Sequence, residues 1–330
     1  MEETYIYEYI WIDGFSKIRS KTRLVNTINI NLEWTFDGSS TGQGTTSSSD
    51  IILKPVKSYI DPFRLHKNSY ILLCECLYNS NEPHITNNRN SCDIIDKQTL
   101  INECLFGIEQ EYIIYNSSTN LPYGWENDKI PKQGPYYCGV GGNVSYGRKI
   151  VEEHLSMCIK AGLKICGVNA EVMPSQWQYQ IGPLEATECA DQLWVSRYIL
   201  ERTAESYNAY ISYDPKPFKN LNSSGAHINF STYKMRTKNK DSMEEIHRVC
   251  KCLISTHSDD IIYYGENNKK RYDKCNYAVS DRSASIRIPL YVNKNGYGYI
   301  EDRRPSSNMD PYLVIKRILM SVFKYTEINI

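Results

Sequence analysis

The sequence predicts an α+β protein of two domains, and three observations carry that prediction. A chain of 330 residues is long enough to build two cores. Residues 88–330 mix β-prone and helix-period runs without the strand–helix–strand regularity of a doubly wound sheet. A polar stretch, residues 79–90, reads as a linker and separates that mixed region from a beginning made of strands and turns. A boundary near residue 87 therefore divides a small domain, 1–87, from a larger one, 88–330.

In the small domain, residues 7–12 form a strand that ends at Asp13-Gly14, a favoured hairpin pair, with residues 19–23 returning. Residues 36–49 hold too much Gly and Ser for regular structure. They form a loop, either a flexible connector or a carrier of Asp37 and several hydroxyls to a site. Residues 51–54 and 70–77 are further strands.

In the large domain, residues 106–112 form a strand that places Glu109 and Glu111 on one face, because successive side chains alternate. Two like charges on a buried face repel and lose hydration, so a cation, arginines or shared protons must compensate; on an exposed edge they need nothing. Residues 134–142 are a second Gly-rich stretch without Walker or dinucleotide spacing. Residues 148–161 follow as a helix with apolar Ile150, Val151, Leu155, Met157 and Cys158, stopped by Gly162. In Gln176-Trp177-Gln178-Tyr179-Gln180, amides alternate with rings, so a strand turns three amides to one face and two rings to the other. Residues 191–207 form a helix, and residues 225–231 a strand with His227, Asn229 and Ser231 aligned. A capping box from Ser242 to Glu245 opens another helix. Strands at 282–288 and 299–305 follow, with Glu301 and Arg303 on one face, and the last helix starts at Pro311 under an Asp310 cap.

Charge and cysteine content narrow the function. Lys and Arg number 38, as do Asp and Glu, so no basic nucleic-acid footprint and no membrane-attracting surface is written in the balance. Small-molecule or protein partners are expected. The acidic opening Met1-Glu2-Glu3-Thr4 is unlike a secretory signal, and apolar runs such as residues 70–74 are too short to cross a bilayer, which predicts a cytoplasmic protein. The 11 cysteines lack a disulfide framework or a complete zinc spacing and are expected as reduced core residues.

Glu109, Glu111, Glu171, His227 and Glu301 are expected on strand faces, with Arg282, Arg287 and Arg303 on others. Oxygen donors with one imidazole suit Mg²⁺ or Mn²⁺ better than zinc. Arginines beside such ions suit phosphoryl transfer, since both neutralise charge on the moving phosphate. Structural salt bridges account for one or two of these residues and hardly for so many.

With these residues in view, the chain resembles a type II, eukaryotic-type glutamine synthetase. The matching text is Tyr9-Ile10-Trp11-Ile12-Asp13-Gly14, Phe36-Asp37-Gly38-Ser39-Ser40-Thr41, Phe106-Gly107-Ile108-Glu109-Gln110-Glu111-Tyr112, residues 133–140, residues 171–174, and residues 301–305 continuing through 308–311, in order over nearly the whole chain. The resemblance implies a β-grasp amino-terminal domain, and a catalytic domain with a curved antiparallel sheet flanked by helices. It implies a homo-oligomeric ring with active sites between subunits. ATP would phosphorylate the γ-carboxylate of L-glutamate, and ammonia would displace phosphate to give L-glutamine.

Under the same resemblance, Glu109, His227 and Glu301 hold the metal nearer the ATP phosphates, and Glu111 and Glu171 the one nearer glutamate. Asp37, from an adjacent subunit, takes a proton from ammonium with help from Ser40 and Tyr137. Arg282 stabilises the transferring phosphoryl group and Arg287 contacts nucleotide phosphates. Arg303 and Arg271 grip glutamate, Asn222 helps position it, and Asn229 and Ser231 face the nucleotide. The loop around Asp37 then belongs to a site.

The chain also departs from the family. Gln178 stands where the family has a third glutamate for the glutamate-side metal; an amide oxygen ligates without charge, so weaker binding is expected. The segment between Arg271 and Arg282 is shorter than in the family and lacks the His-Glu of its flap, with Asp273 no unambiguous replacement. The amino-terminal helical extension is missing, and Leu105 stands in place of tryptophan. Readings of different classes stay open: a glutamate–ammonia ligase of full or reduced activity, a non-catalytic ring protein with a binding or regulatory role, and a ligase for another amine.

Overall fold

The computed structural model describes residues 3–125, 133–266 and 273–325. Strands β1 (Tyr5–Ile12) and β2 (Ile18–Val25) form the expected hairpin. Its connection is longer than a two-residue Asp-Gly turn, because Asp13 Oδ1 accepts the backbone N–H groups of Phe15 (2.8 Å) and Lys17 (2.9 Å) while Ser16 adopts a left-handed φ of 58°. With β3 (Trp34–Asp37), β4 (Asp50–Ile60) and β5 (Ser69–Leu77) the order is β2-β1-β5-β4-β3, and β1 and β5 run parallel. This is the β-grasp expected of the small domain. Tyr7, Tyr9 and Trp11 cover one face with Phe36, Leu53 and Leu72. Their neighbour Ile10 points the other way, packing with Ile71 and Leu73 against residues of the large domain.

Helix α1 (Asn88–Thr99) begins inside the stretch that reads as a linker, with the Asn87 side chain accepting from Asn90 N–H. Its polar sequence hides it. Cys92, Ile95 and Thr99 are the buried stripe, and Arg89 anchors it through Asp191 (2.8 and 2.9 Å) and Glu75 (3.0 Å).

The large domain curls a sheet of β6 (Leu105–Asn116), β7 (Leu121–Pro122), β8 (Ile165–Ala170), β9 (Gln176–Leu184), β10 (Ala209–Ser212), β11 (Ala226–Ser231), β12 (Tyr277–Val279), β13 (Ile286–Ile288) and β14 (Ile300–Asp302). Its path is β12-β13-β14-β11-β6-β9-β8, antiparallel except for β12 with β13; β7 and β10 also pair with β6. Around it lie α2 (Arg148–Ala161), α3 (Ala186–Glu205), α4 (Tyr233–Arg236), α5 (Ser242–Ser255), α6 (His257–Asp260), α7 (Leu290–Asn295) and α8 (Pro311–Phe323). Among the described residues, no helix is long and apolar enough to cross a membrane.

Several local expectations are corrected. Helix α3 starts at Ala186, ahead of the expected residue 191. The Ser242–Glu245 capping box does not form: Ser242 Oγ donates to Thr237 O and Asn239 Oδ1, while Glu245 pairs with Arg248 at 2.7 Å. Glu171 lies just past β8, and of the three arginines expected on strands only Arg287 is on one. Arg282 occupies a turn in which Asp281 accepts from Ser283 N–H and Oγ, and Arg303 follows β14 as the chain approaches Pro305. The cysteines are free thiols, but Cys138 and Cys166 are exposed and Cys252 and Cys275 half-buried, so these four are not core.

The core face of the second sheet carries Ile108 and Tyr112 from β6, Trp177 and Tyr179 from β9, Ile228 and Phe230 from β11, and Ile300 from β14. Two polar groups share that face. Gln110 accepts from Arg197 Nε (3.0 Å) and Nη2 (2.6 Å). Asp302 accepts from Arg304 Nε (2.9 Å) and Nη2 (2.7 Å), and Arg304 also donates to Leu253 O and Tyr264 OH. Arg304 and Asp302 are both fully buried. Arg304→Ala strands the Asp302 carboxylate and should cost roughly 3–5 kcal/mol in urea unfolding, whereas Arg304→Met combined with Asp302→Leu should recover most of that loss.

Candidate functional site

Strand β6 lies at the middle of the sheet, between β11 and β9. The ladder sets His227 of β11 opposite Glu109 and Gln178 of β9 opposite Glu111. Further out, Glu301 of β14 stands opposite both Asn229 and Arg287, and Asn169 of β8 opposite Gln178. Since paired residues point the same way and alternate residues share a face, these polar side chains line the face opposite the core.

Glu109, His227 and Glu301 each offer a donor atom, all within 4.8 Å of one another. His227 Nδ1 lies 3.5 Å from Glu301 Oε1 and 3.8 Å from Glu109 Oε2. Burial disfavours the imidazolium, yet the Glu109 carboxylate, with Glu111 and Glu301 nearby, raises the His227 pKa. Burial would also raise Glu109, but His227 and the Asn229 amide hold it below the usual carboxylate value. Glu301 is gripped by Arg287 Nη1 at 2.7 Å and by Arg303 Nη1. Two carboxylates and one imidazole at this spacing fit a hard divalent ion.

Glu171 approaches Glu111 from the end of β8, and its burial together with that neighbouring charge pushes its pKa up to about 7. This pair is where an added positive charge relieves repulsion. The second Gly-rich stretch docks beside it, through Gly134 N–H to Val172 O (3.1 Å) and Cys138 N–H to Ala170 O (3.0 Å). Tyr137 is thereby held, 57% exposed, within electrostatic reach of Glu171 and Arg282.

Some of the other expected residues touch this cluster, and some stand apart. Asp37 caps a 3₁₀ turn at the edge of the first sheet, accepting from Ser39 N–H (2.9 Å) and Oγ (2.6 Å), which holds its carboxyl low; Ser40 is exposed in that turn. Asn222 is exposed ahead of β11. Asn229 donates to Glu109 Oε1 at 2.9 Å, and Ser231 Oγ accepts from Arg236 Nη1 at 3.1 Å. Gln178 Nε2 is 3.5 Å from Glu109 Oε2. Asp273 is exposed, and Arg271 lies outside the described residues.

Three residues escaped sequence reasoning as individuals. Gln176 and Asn169 donate to Glu111 Oε2 (3.2 Å) and Glu171 Oε1 (3.0 Å). The amide–ring alternation around Gln176 was the signal for a polar face, and nothing marked Asn169. Gly225 O accepts the backbone N–H of Glu111 (3.0 Å), and its own N–H reaches Glu111 Oε2 at 3.1 Å.

The family model described as glutamine synthetase, catalytic domain, matches residues 89–248, and that described as glutamine synthetase, beta-Grasp domain, matches residues 3–79. The glutamine synthetase of Emericella nidulans is 44% identical over 322 residues, 93% of this chain and 89% of that protein. That of Schizosaccharomyces pombe is 42% identical over 333 residues, 96% and 92% of the two chains. A cryo-EM structure of Plasmodium falciparum glutamine synthetase has the same fold, with a TM-score of 0.79 over 97% of this chain and 72% of that one at 18% identity.

A Cβ on Gly225 would come within 2.7 Å of His227 Nε2. Gly225→Ala should therefore displace the imidazole and weaken Mn²⁺ binding at least about tenfold, with circular dichroism unchanged; the electron paramagnetic resonance signal of free Mn²⁺ measures it.

Proposed function

The chain belongs to the glutamine synthetase family, and from that premise we infer how its own residues join ammonia to L-glutamate at the expense of ATP. The observation that carries the reading onto this chain is the Glu109–His227–Glu301 cluster with Arg287 and Arg303 beside it. Glu109, His227 and Glu301 would hold one divalent ion toward the ATP phosphates, and Glu111 and Glu171 one toward glutamate. Such ions, Mg²⁺ or Mn²⁺ given this oxygen-rich donor set, supply positive charge to the phosphates.

In the first step, a γ-carboxylate oxygen of glutamate attacks the γ-phosphorus of ATP. The bond from that phosphorus to the bridging oxygen breaks, and ADP leaves γ-glutamyl phosphate behind. Arg282 and Arg287 neutralise phosphoryl oxygens, as guanidinium groups do well because they bind bidentately without losing their charge. Arg303 and Arg271 orient the substrate, Asn222 supports it, and Asn229 and Ser231 face the nucleotide. In the second step, Asp37, with Ser40 and Tyr137, takes a proton from ammonium. The freed ammonia attacks the acyl carbon, the carbon–oxygen bond to phosphate breaks, and the nitrogen's surplus proton goes to the departing phosphate, leaving the amide.

Asp37 belongs to the small domain, 1–87, and serves the site of a neighbouring copy in a homo-oligomeric ring of a cytoplasmic enzyme. The Ser39 hydrogen bonds that lower its pKa keep it charged, which suits it to hold the ammonium cation. Gln178 lowers the negative charge around the glutamate-side ion, which is what makes that ion's affinity the weak point.

Two experiments test this reading. ATP-dependent glutamine formation should titrate with Mg²⁺ or Mn²⁺, and Gln178→Glu should lower the concentration for half-maximal activity roughly tenfold; nucleotide binding without metal-dependent synthesis in either protein defeats the proposal. Asp37→Ala and Glu109→Ala copies, each inactive, should regain part of the wild-type activity when dissociated and reassembled together. A monomer with activity undiminished on dilution excludes the shared site.

A further inference from the structure

Gln176 is the first residue of β9, and only 1% of it is exposed. Each polar atom of its side chain is engaged. Oε1 accepts Met173 N–H at 3.3 Å, while Nε2 donates to Glu111 Oε2 at 3.2 Å and Ser224 Oγ at 3.1 Å. Its backbone closes the turn that carries Glu171: Glu171 N–H reaches Gln176 O at 2.8 Å, and Gln176 N–H reaches Met173 O at 3.2 Å. Ser175, at a left-handed φ of 59°, secures the turn to β6 through Ile114, donating from Oγ and accepting at its carbonyl. One residue thus fixes the carboxylate of Glu111 and the chain segment of Glu171.

The donor type matters. Glu301 is held by two guanidinium groups, which cancel its charge. Two donors on Glu111 Oε2, the Gln176 amide and the Gly225 N–H, are neutral. Neutral donors orient a carboxylate and offset part of its desolvation without competing with a cation for its charge. We propose that Gln176 is a positioning residue, one that sets Glu111 and Glu171 in mutual register for a divalent cation. The inference rests on the reading of those two glutamates as cation ligands.

The test is Mn²⁺ titration of nucleotide-free protein, read by the paramagnetic resonance signal of free Mn²⁺, for wild type, Glu111→Gln and Gln176→Met. Methionine keeps the length of the side chain and removes the donor. Gln176→Met should weaken, by about tenfold or more, the class of sites that Glu111→Gln abolishes and leave the other class at wild-type affinity. The KM for glutamate should rise in parallel. Ser224→Ala, which removes only the hydroxyl that steadies the amide, should weaken the same class severalfold and serves where Gln176→Met does not fold. Wild-type affinity in both variants, or equal weakening of both classes, overturns the proposal while the ligand reading stands. Mn²⁺ binding that Glu111→Gln leaves intact overturns the ligand reading, and this inference with it.

Discussion

Two carboxylates on one face of a central strand, in a setting with little water, constrain most of what surrounds them. At about 7 Å separation and an effective dielectric of about 20, their repulsion amounts to roughly 2–3 kcal/mol before lost hydration is counted. The protein supplies two kinds of relief. On the Glu109 side it places an imidazole and, through Glu301, two guanidinium groups. On the Glu111 side it supplies neutral amides and lets Glu171 take up protons near neutral pH.

That polar face exists only because the opposite face is firmly packed. The alternation that sends Glu109 and Glu111 one way sends Ile108 and Tyr112 the other, and Gln110 and Asp302 travel with them into the core. Arg197 binds Gln110 and also the carbonyls of Ser307 and Met309, so helix α3 is tied to β6 and to the segment entering α8. Arg304 does the same for β14 and the helices after α4. Buried ionic groups of this kind hold the register of the sheet, and the register is what brings Glu109, His227 and Glu301 together.

The residues expected to depart from the family find a place in this picture. Gln178 stands beside Glu111 in the ladder, and its amide nitrogen reaches Glu109 Oε2 at 3.5 Å. The segment before Arg282, expected to be shorter than in the family, pairs as β12 along β13 and ends in the Asp281 turn. Asp273 is exposed at its start.

Much was legible in the sequence because it is local or periodic. The period-2 rule alone placed Glu109 with Glu111 and aligned His227, Asn229 and Ser231. Helix α2 ran from Arg148 to Ala161 as its apolar spacing and Gly162 required, and Asp310 with Pro311 marked the start of α8. Helix α1 was missed because its stability comes from Arg89 and three buried side chains meeting other elements, with little apolar pattern of its own. The Ser242 box failed because the helix begins one residue earlier than the box requires, with Asp241 at the N-cap and Ser242 already inside, its hydroxyl donating to Thr237 O. What each carboxylate faces was decided only by tertiary structure. Gln176 reaching Glu111, Asn169 reaching Glu171 and Gly225 leaving room for His227 depend on which strands are neighbours and in what register. Those are set by packing across the whole sheet, whereas side-chain alternation is a property of each strand by itself.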